Sequence, residues 1–189
     1  MTVDVGAELP WLFLDVDGPL NPFAGMPHDC PPGYRSYRLM PPSWEKAERE
    51  RLSAWGRQQL APVPLPVWLN PTHGALLAAL PFRLAWASTW GEEANAFISP
   101  LLGLPPLPCI EWSAPRRARA GGLLWKTPEL VAWAGGCSFA WLDDEVSDAD
   151  RAWVTEHHAG PALLHYVNPQ LGLQSDDFEA LRQWADSHS

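Results

Sequence analysis

Short apolar runs alternate with helical patterns along most of the chain, from about residue 65 to its end. Apolar runs of four to eight residues that end in polar or small residues are typical of buried strands. They predict strands near 11–16, 82–88, 107–111, 138–143 and 162–167. Helices are predicted near 72–80, 91–102, 124–134, 147–158 and 175–187. This alternation predicts an α/β fold, with a parallel sheet, right-handed crossovers and helices on both faces.

The proline-rich segment 22–64 breaks this alternation. Tyr34–Met40 and Leu65–Asn70 have the pattern of two hairpin strands, and Ser43–Leu60 has that of a charged helix between them. The segment could be a surface excursion with no role in a site. Its place directly after two aspartates favours a role near them over that alternative.

The first predicted strand ends in Asp15 and Asp17, and Gly18-Pro19 then stops it. Alternate side chains of a strand share a face, so these two carboxylates would point the same way if the chain stayed extended. Two neighbouring carboxylates are costly unless a positive charge lies between them. A hard cation with oxygen ligands would meet that need. The alternative is a strand followed by an ordinary acidic turn.

Three later element ends carry polar side chains that could complete such a site. Ser88 and Thr89 close the second strand, where hydroxyl and N–H groups suit a phosphate oxygen, although both residues are also common helix caps. Lys126 lies between apolar residues where a glycine-rich turn enters a helix. Asp143 and Asp144 end a fourth strand. Ligands of open α/β sheets bind at the carboxyl ends of strands, so these groups are expected at one edge.

The ordered set of strand-Asp-x-Asp-Gly, strand-Ser/Thr, Lys and strand-Asp-Asp resembles the haloacid dehalogenase superfamily, from Asp15 to about Asp148. The sequences of Leu69–Gly74 and Trp86–Asn95 look like those of a small actinobacterial-type branch of this superfamily. The resemblance implies a three-layer α/β/α, Rossmann-like fold in which residues 1–189 form one domain. It also implies a flap and a small cap insertion after the first strand, here at 22–70.

The resemblance further implies a phosphatase that uses an aspartyl-phosphate intermediate. Asp15 would be the nucleophile, and Asp17 would act as general acid and then as general base. Ser88, with or without Thr89, would bind the phosphoryl oxygens. Lys126 would offset the charge of the phosphate and the nucleophile. The expected substrate is a phosphorylated small molecule.

Mg²⁺ is the cofactor that the resemblance implies. Asp15, the main-chain carbonyl of Asp17, and Asp143 would hold it, with Asp144 as a direct or indirect partner. Because Asp143 and Asp144 are adjacent, the sequence leaves open which of them is the closer ligand. Asp148 is a further candidate.

Two other functions stay open at this point. The chain could be a binding or regulatory domain of the same fold with little turnover, or a phosphatase that acts on nucleic-acid ends. The basic loop Arg116–Arg119 keeps the second of these open, whereas the net charge of −9 disfavours nucleic acid. A dehalogenase is disfavoured because dehalogenase members of the superfamily lack the aspartate that stands here as Asp17.

Composition predicts a cytoplasmic protein without a membrane partner. No apolar segment approaches the length of a membrane span, and Met1–Pro10 lacks the pattern of a signal peptide. Three cysteines at wide, unpatterned spacing predict neither a disulfide framework nor a zinc site. Of the twelve tryptophans, Trp44, Trp55 and Trp90 are the candidates for lining a pocket.

Overall fold

The computed structural model describes residues 9–25, 30–114 and 120–188. Its strands are β1 (Trp11–Leu14), β2 (Arg35–Leu39), β3 (Leu65–Leu69), β4 (Arg83–Trp86), β5 (Phe139–Asp143) and β6 (Ala162–Tyr166). Four of them form a parallel sheet in the order β4-β1-β5-β6, and β2 and β3 form a separate antiparallel pair. The parallel sheet predicted from the sequence is therefore confirmed.

The helices flank this sheet. They are α1 (Pro42–Ala54), α2 (His73–Ala78), α3 (Ser99–Leu102), α4 (Thr127–Ala134), α5 (Asp148–His157) and α6 (Ser175–His188). The single helix predicted at 91–102 is instead a π-helical turn, Ala94–Ile98, that continues into α3. Within the described ranges, no helix combines the length and the apolar character that a membrane crossing requires.

Strand β1 is buried on both faces because helices pack against both sides of the sheet. Leu12 and Leu14 belong to one apolar cluster together with Leu181 of α6. Phe13, between them, belongs to a second cluster with Leu130 of α4. Because successive side chains of a strand point to opposite faces, the two clusters lie on opposite sides of the sheet.

The prediction of a strand at 107–111 was wrong. The segment forms only one isolated parallel bridge, between Cys109 and Trp86 of β4. The backbone N–H of Trp86 donates to Pro108 at 2.8 Å, and that of Ile110 donates back to Trp86 at 2.9 Å. Prolines at 105, 106 and 108 have no N–H to donate, so the ladder cannot extend on the N-terminal side of this bridge.

The segment between β1 and β4 contains the predicted hairpin and helix. Strands β2 and β3 pair from Arg35 with Leu69 to Leu39 with Leu65, and α1 connects them. Helix α1 ends at Ala54 rather than at residue 60, and Gly56 follows with a φ of +66°. We call residues 30–70 the hairpin–helix segment.

Candidate functional site

Three aspartates meet at the carboxyl edge of the sheet. Asp15 follows β1, Asp143 ends β5, and both are almost fully buried, whereas Asp144 is partly exposed. Each offers one carboxylate oxygen, and these oxygens all lie within 4.8 Å of one another. Neighbouring parallel strands end at the same edge, which is why residues distant in sequence come together here.

Lys126 is buried against two of these aspartates. It stands at the N-terminus of α4, is 1% exposed, and donates from Nζ to Asp143 Oδ2 at 2.7 Å and to Asp15 Oδ2. The other oxygen of Asp15 accepts from the backbone N–H of Val16 at 2.7 Å, and that of Asp143 accepts from Glu145 at 2.8 Å. Among the described residues, three close carboxylates thus face a single ammonium, which leaves an excess of negative charge.

The pKa values reflect this excess. Burial, reinforced by the charge of Asp15, raises the pKa of Asp143 to about 8, and the same two causes raise the pKa of Asp144 to about 6. Burial alone would lower the pKa of Lys126, but the carboxylates of Asp15 and Asp143 outweigh it and raise that pKa above its ordinary value. The lysine therefore stays charged, and the cluster gains from binding a proton or a further cation.

Asp17 lies beside this cluster with partners of its own. Asn21 Nδ2 donates to its Oδ1 at 2.8 Å, and Trp90 Nε1 donates to its Oδ2 at 2.9 Å. Burial, together with the nearby charge of Asp15, raises the pKa of Asp17, against the effect of both hydrogen bonds. A carboxyl group with a raised pKa and a fixed orientation is suited to general acid catalysis.

The two residues of the second motif occupy different places. Ser88 is 1% exposed, and its Oγ accepts from the backbone N–H of Val16 and of Trp90, each at 3.4 Å. It therefore contacts the turn that carries Asp15. Thr89 is less buried and lines the cleft described below. The structure brings Ser88, rather than Thr89, to the turn after β1.

Asp148 does not join the carboxylate cluster. Its side chain is fully exposed and forms a 3.7 Å ion pair with Arg151 on the same helix. Of the two other acids in this motif, Asp143 is the more buried and is the one that contacts Lys126. The basic loop at 116–119 lies outside the described residues.

Gly18 packs against the third aspartate of the cluster. Its φ is +92°, and a Cβ at this position would lie 2.4 Å from Cγ of Asp144. Both the conformation and the close approach require glycine. The turn after Asp17 thereby packs directly against the Asp144 carboxylate.

Asp150 connects the lysine turn to the start of α5, and the sequence interpretation missed it. One of its carboxylate oxygens accepts from the Leu124 N–H at 2.9 Å and from the Thr127 hydroxyl. The other accepts from Ser147 N at 2.9 Å and Ser147 Oγ at 2.6 Å. Asp150 is fully buried, and its hydrogen bonds join Leu124 and Thr127, on either side of Lys126, to the start of α5. The Ser-x-x-Asp capping box was the available signal.

Asn21 is a second residue that sequence interpretation left without a role. It is 2% exposed, and while its amide nitrogen donates to Asp17, its Oδ1 accepts from the backbone N–H of Trp68 in β3 at 2.9 Å. Asn21 therefore joins the turn after β1 to the hairpin–helix segment. Its position four residues after Asp17 was the signal.

A cavity of about 600 Å³ separates the hairpin–helix segment from the sheet edge. Its described lining consists of Asp17, Asn21, Phe23, Pro41, Ser43, Trp44, Ala47, Leu65, Pro66, Thr89, Trp90 and Glu93. We call it the cleft. Ser43 closes one side of it, because its backbone N–H donates to Glu93 at 2.7 Å and its hydroxyl donates to the same carboxylate.

The sequence prediction for this cavity was right for two tryptophans and wrong for the third. Trp44 and Trp90 line the cleft. Trp55 is 60% exposed near the far end of α1, where it stacks under Arg51. It is the C-cap residue of α1 and does not belong to the described lining of the cleft.

The arginines and tyrosines in and next to β2 lie outside the cleft. Arg35 and Arg38 are exposed, and neither belongs to the described lining of the cleft. Tyr34 is buried and donates its hydroxyl to Leu173 at 3.4 Å. Tyr37 packs against the apolar core.

No family model matches this chain, and no curated protein or solved structure matches it either.

Proposed function

We propose that this protein is a Mg²⁺-dependent phosphohydrolase of the haloacid dehalogenase type, which acts on a small phosphorylated molecule through an aspartyl-phosphate. The observation that carries the proposal is the buried contact of Lys126 with Asp15 and Asp143, with Asp144 within reach. Phosphoryl transfer needs charge neutralisation and positioning above all, and this cluster supplies fixed charges of both signs at one edge of the sheet.

In the proposed reaction, a carboxylate oxygen of Asp15 attacks the phosphorus atom. An Asp15–phosphorus bond forms as the bond from phosphorus to the leaving oxygen breaks. Asp17, whose pKa is raised, donates its proton to that oxygen. The same carboxylate then removes a proton from a water molecule, which attacks the phosphorus, releases inorganic phosphate and regenerates Asp15.

The donor set fits Mg²⁺. Asp15, Asp143 and Asp144 offer hard oxygen ligands within 4.8 Å of one another, and their charges exceed that of Lys126. These three residues, with the main-chain carbonyl of Asp17 as a further proposed ligand, would hold the ion. When bound, it would supply charge neutralisation for the phosphoryl oxygens.

Ser88 and Lys126 would hold the phosphoryl group in place. Lys126 Nζ already contacts the proposed nucleophile, so an oxygen of the substrate can share its positive charge. The hydroxyl of Ser88 lies beside the same turn and would donate to a second oxygen. Thr89 lies on the cleft side and would contact the remainder of the substrate.

The test is hydrolysis of phenyl phosphate with and without Mg²⁺. EDTA should abolish turnover and added Mg²⁺ should restore it, whereas undiminished activity in chelator would rule out the metal role. Asp15→Asn should lower kcat by at least about a thousandfold with the fold retained, as judged by circular dichroism. Asp148→Asn, an exposed acid outside the cluster, is the matched control and should keep wild-type kinetics. Wild-type turnover by Asp15→Asn would eliminate Asp15 as nucleophile.

A further inference from the structure

The side of the site on which a leaving group must lie is fixed by Asp17. This inference rests on the proposed function, in which Asp17 protonates the leaving oxygen. Its carboxylate is oriented by Trp90, and both residues line the cleft. The departing part of the substrate must therefore enter the cleft. A volume of about 600 Å³ lies in the range of small-molecule sites.

The walls of the cleft are mainly apolar. Trp44, Trp90 and Phe23 contribute aromatic surface, and Leu65 contributes aliphatic surface. Aromatic side chains of this kind provide a large contact area for an apolar ligand. Burial of such a ligand is favoured in proportion to the apolar surface that it removes from water.

The charged groups of the cleft are acidic. Glu93 and Asp17 are the ionisable residues in its described lining, which contains no lysine or arginine. The partner of Glu93 there is the uncharged Ser43, whose N–H and hydroxyl both donate to it. The chain as a whole carries a net charge of −9, so its long-range field has the same sign.

We propose that the physiological substrate is a phosphomonoester with an uncharged, apolar, ring-sized leaving group. A second phosphate or a carboxylate on the leaving group would lose hydration in the cleft and face the carboxylate of Glu93, with no cation among the described lining residues to compensate. Like charges brought together at a binding site are strongly unfavourable. Nucleoside diphosphates and triphosphates, sugar bisphosphates and phosphorylated organic acids, whose leaving groups carry a further negative charge, are thus expected to be poor substrates.

A pair of matched esters tests the charge preference. In 4-(carbamoylmethyl)phenyl phosphate and 4-(carboxymethyl)phenyl phosphate the leaving groups have nearly equal size, and a methylene group insulates the phenol from the substituent. We expect kcat/KM to be at least about tenfold higher for the neutral ester. Equal values for the two esters, with phenyl phosphate hydrolysed, would overturn the assignment of substrate class and leave the proposed function standing.

A pair of tryptophan variants tests the apolar contact. Trp44→Ala should raise KM for 2-naphthyl phosphate several-fold and that for methyl phosphate much less, because only the larger leaving group reaches the wall of the cleft. Trp55→Ala removes an exposed tryptophan from the same segment and should change neither value. Equal effects of Trp44→Ala on both esters would contradict the placement of the leaving group.

A binding experiment distinguishes failure of this inference from failure of the proposed function. If no ester is hydrolysed, the proposed function fails. Calorimetric titration with the corresponding carbamoyl- and carboxyl-substituted benzylphosphonates still measures the preference of the cleft without turnover. Tighter binding of the neutral phosphonate by about tenfold supports the inference, and equal or reversed affinities overturn it.

Discussion

At the scale of single residues, the charge balance around Lys126 decides how the site behaves. A buried ammonium is stable here because two carboxylates contact it, and those carboxylates in turn need it. Removing one partner from a buried ion pair is far more costly than removing the pair as a whole. Lys126 and a bound metal ion would both interact with the carboxylates of Asp15 and Asp143.

Lys126→Met tests this balance with a side chain of similar volume. In EDTA the free energy of unfolding of the variant should be about 3–5 kcal/mol lower than that of the wild type, because the carboxylates lose their cation. Mg²⁺ should stabilise the variant more than it stabilises the wild type, since it meets no ammonium there. Chemical denaturation with and without Mg²⁺ measures both effects. A loss below about 0.5 kcal/mol in EDTA, with unchanged kinetics, would contradict the role of Lys126 and weaken the proposed site as a whole.

His73 is a second buried ionisable residue, at the start of α2. Tyr34 and Phe178 contact its ring edge-on, and its Nδ1 has no hydrogen-bond partner among the described residues. Burial lowers its pKa from 6.5 to about 4, against the opposing charge of Asp177. The folded protein therefore takes up the proton later than the unfolded chain does as the pH falls.

The stability contributed by neutral His73 should be complete above about pH 6.5 and should be lost as the pH falls towards 4. Between about pH 7.5 and 5 the loss should be on the order of 2 kcal/mol. His73→Phe keeps an aromatic ring at this position and should remove this part of the pH dependence. Urea unfolding of both proteins across this range provides the measurement. Parallel stability curves for variant and wild type would show that His73 does not titrate as described.

The sequence identified those site residues that stand where a hydrophobic pattern ends. Asp15, Ser88 and Asp143 each follow or close an apolar strand, so their place at the sheet edge follows from topology. Asn21 and Asp150 could not be assigned in this way. Their roles depend on hydrogen bonds to residues 23 or more positions away, which only the packing of the elements determines.

At the scale of elements, alternation of apolar and polar runs was sufficient to predict the sheet but not the extent of its edge. The predicted strand at 107–111 has a suitable apolar composition, and it does lie beside β4. Its prolines lack the backbone N–H groups that a ladder needs on their side of the bridge. The apolar composition of the segment therefore favours a strand that its backbone donors cannot support. Helix ends were predicted less well than helix positions, as the early end of α1 at Ala54 illustrates.

The connection between α4 and α5 through Asp150 yields a prediction. Asp150→Asn replaces one acceptor oxygen with a donor, which leaves either the Leu124 and Thr127 donors or those of Ser147 unmatched. The free energy of unfolding should fall by about 1–3 kcal/mol. Because the turn that carries Lys126 loosens, kcat on phenyl phosphate should also fall.

Asp148→Asn on the same helix serves as control, since its carboxylate is exposed, and should alter neither quantity. If Asp150 positions the turn that carries Lys126, its replacement should change kcat more than KM. If Asp150 only stabilises the fold, the folded variant should keep both values. A variant of Asp150 that loses stability but keeps wild-type kcat at a temperature where it is folded would show that Asp150 only supports the fold.

At the scale of the whole molecule, two hydrogen-bonded connections hold the hairpin–helix segment over the sheet edge. Asn21 joins Asp17 to β3, and Ser43 at the start of α1 binds Glu93 beyond β4. The sequence predicted a hairpin and a helix in this position, and both are confirmed. That the segment selects the substrate stays a prediction, because no sequence pattern encodes the shape of the cleft.

Replacing residues 43–60 with a short Gly/Ser linker tests that role. Leu39 and Leu65 are paired across β2 and β3, so a short linker can close the hairpin without disturbing the sheet. Phenyl phosphate should still be hydrolysed, because Asp15, Asp143 and Lys126 are held by the sheet and α4. The preference for the neutral over the carboxylated aryl ester should shrink towards unity, since Ser43, Trp44 and Ala47 leave the cleft and water enters. A folded variant with an unchanged preference would show that specificity resides in the sheet edge alone.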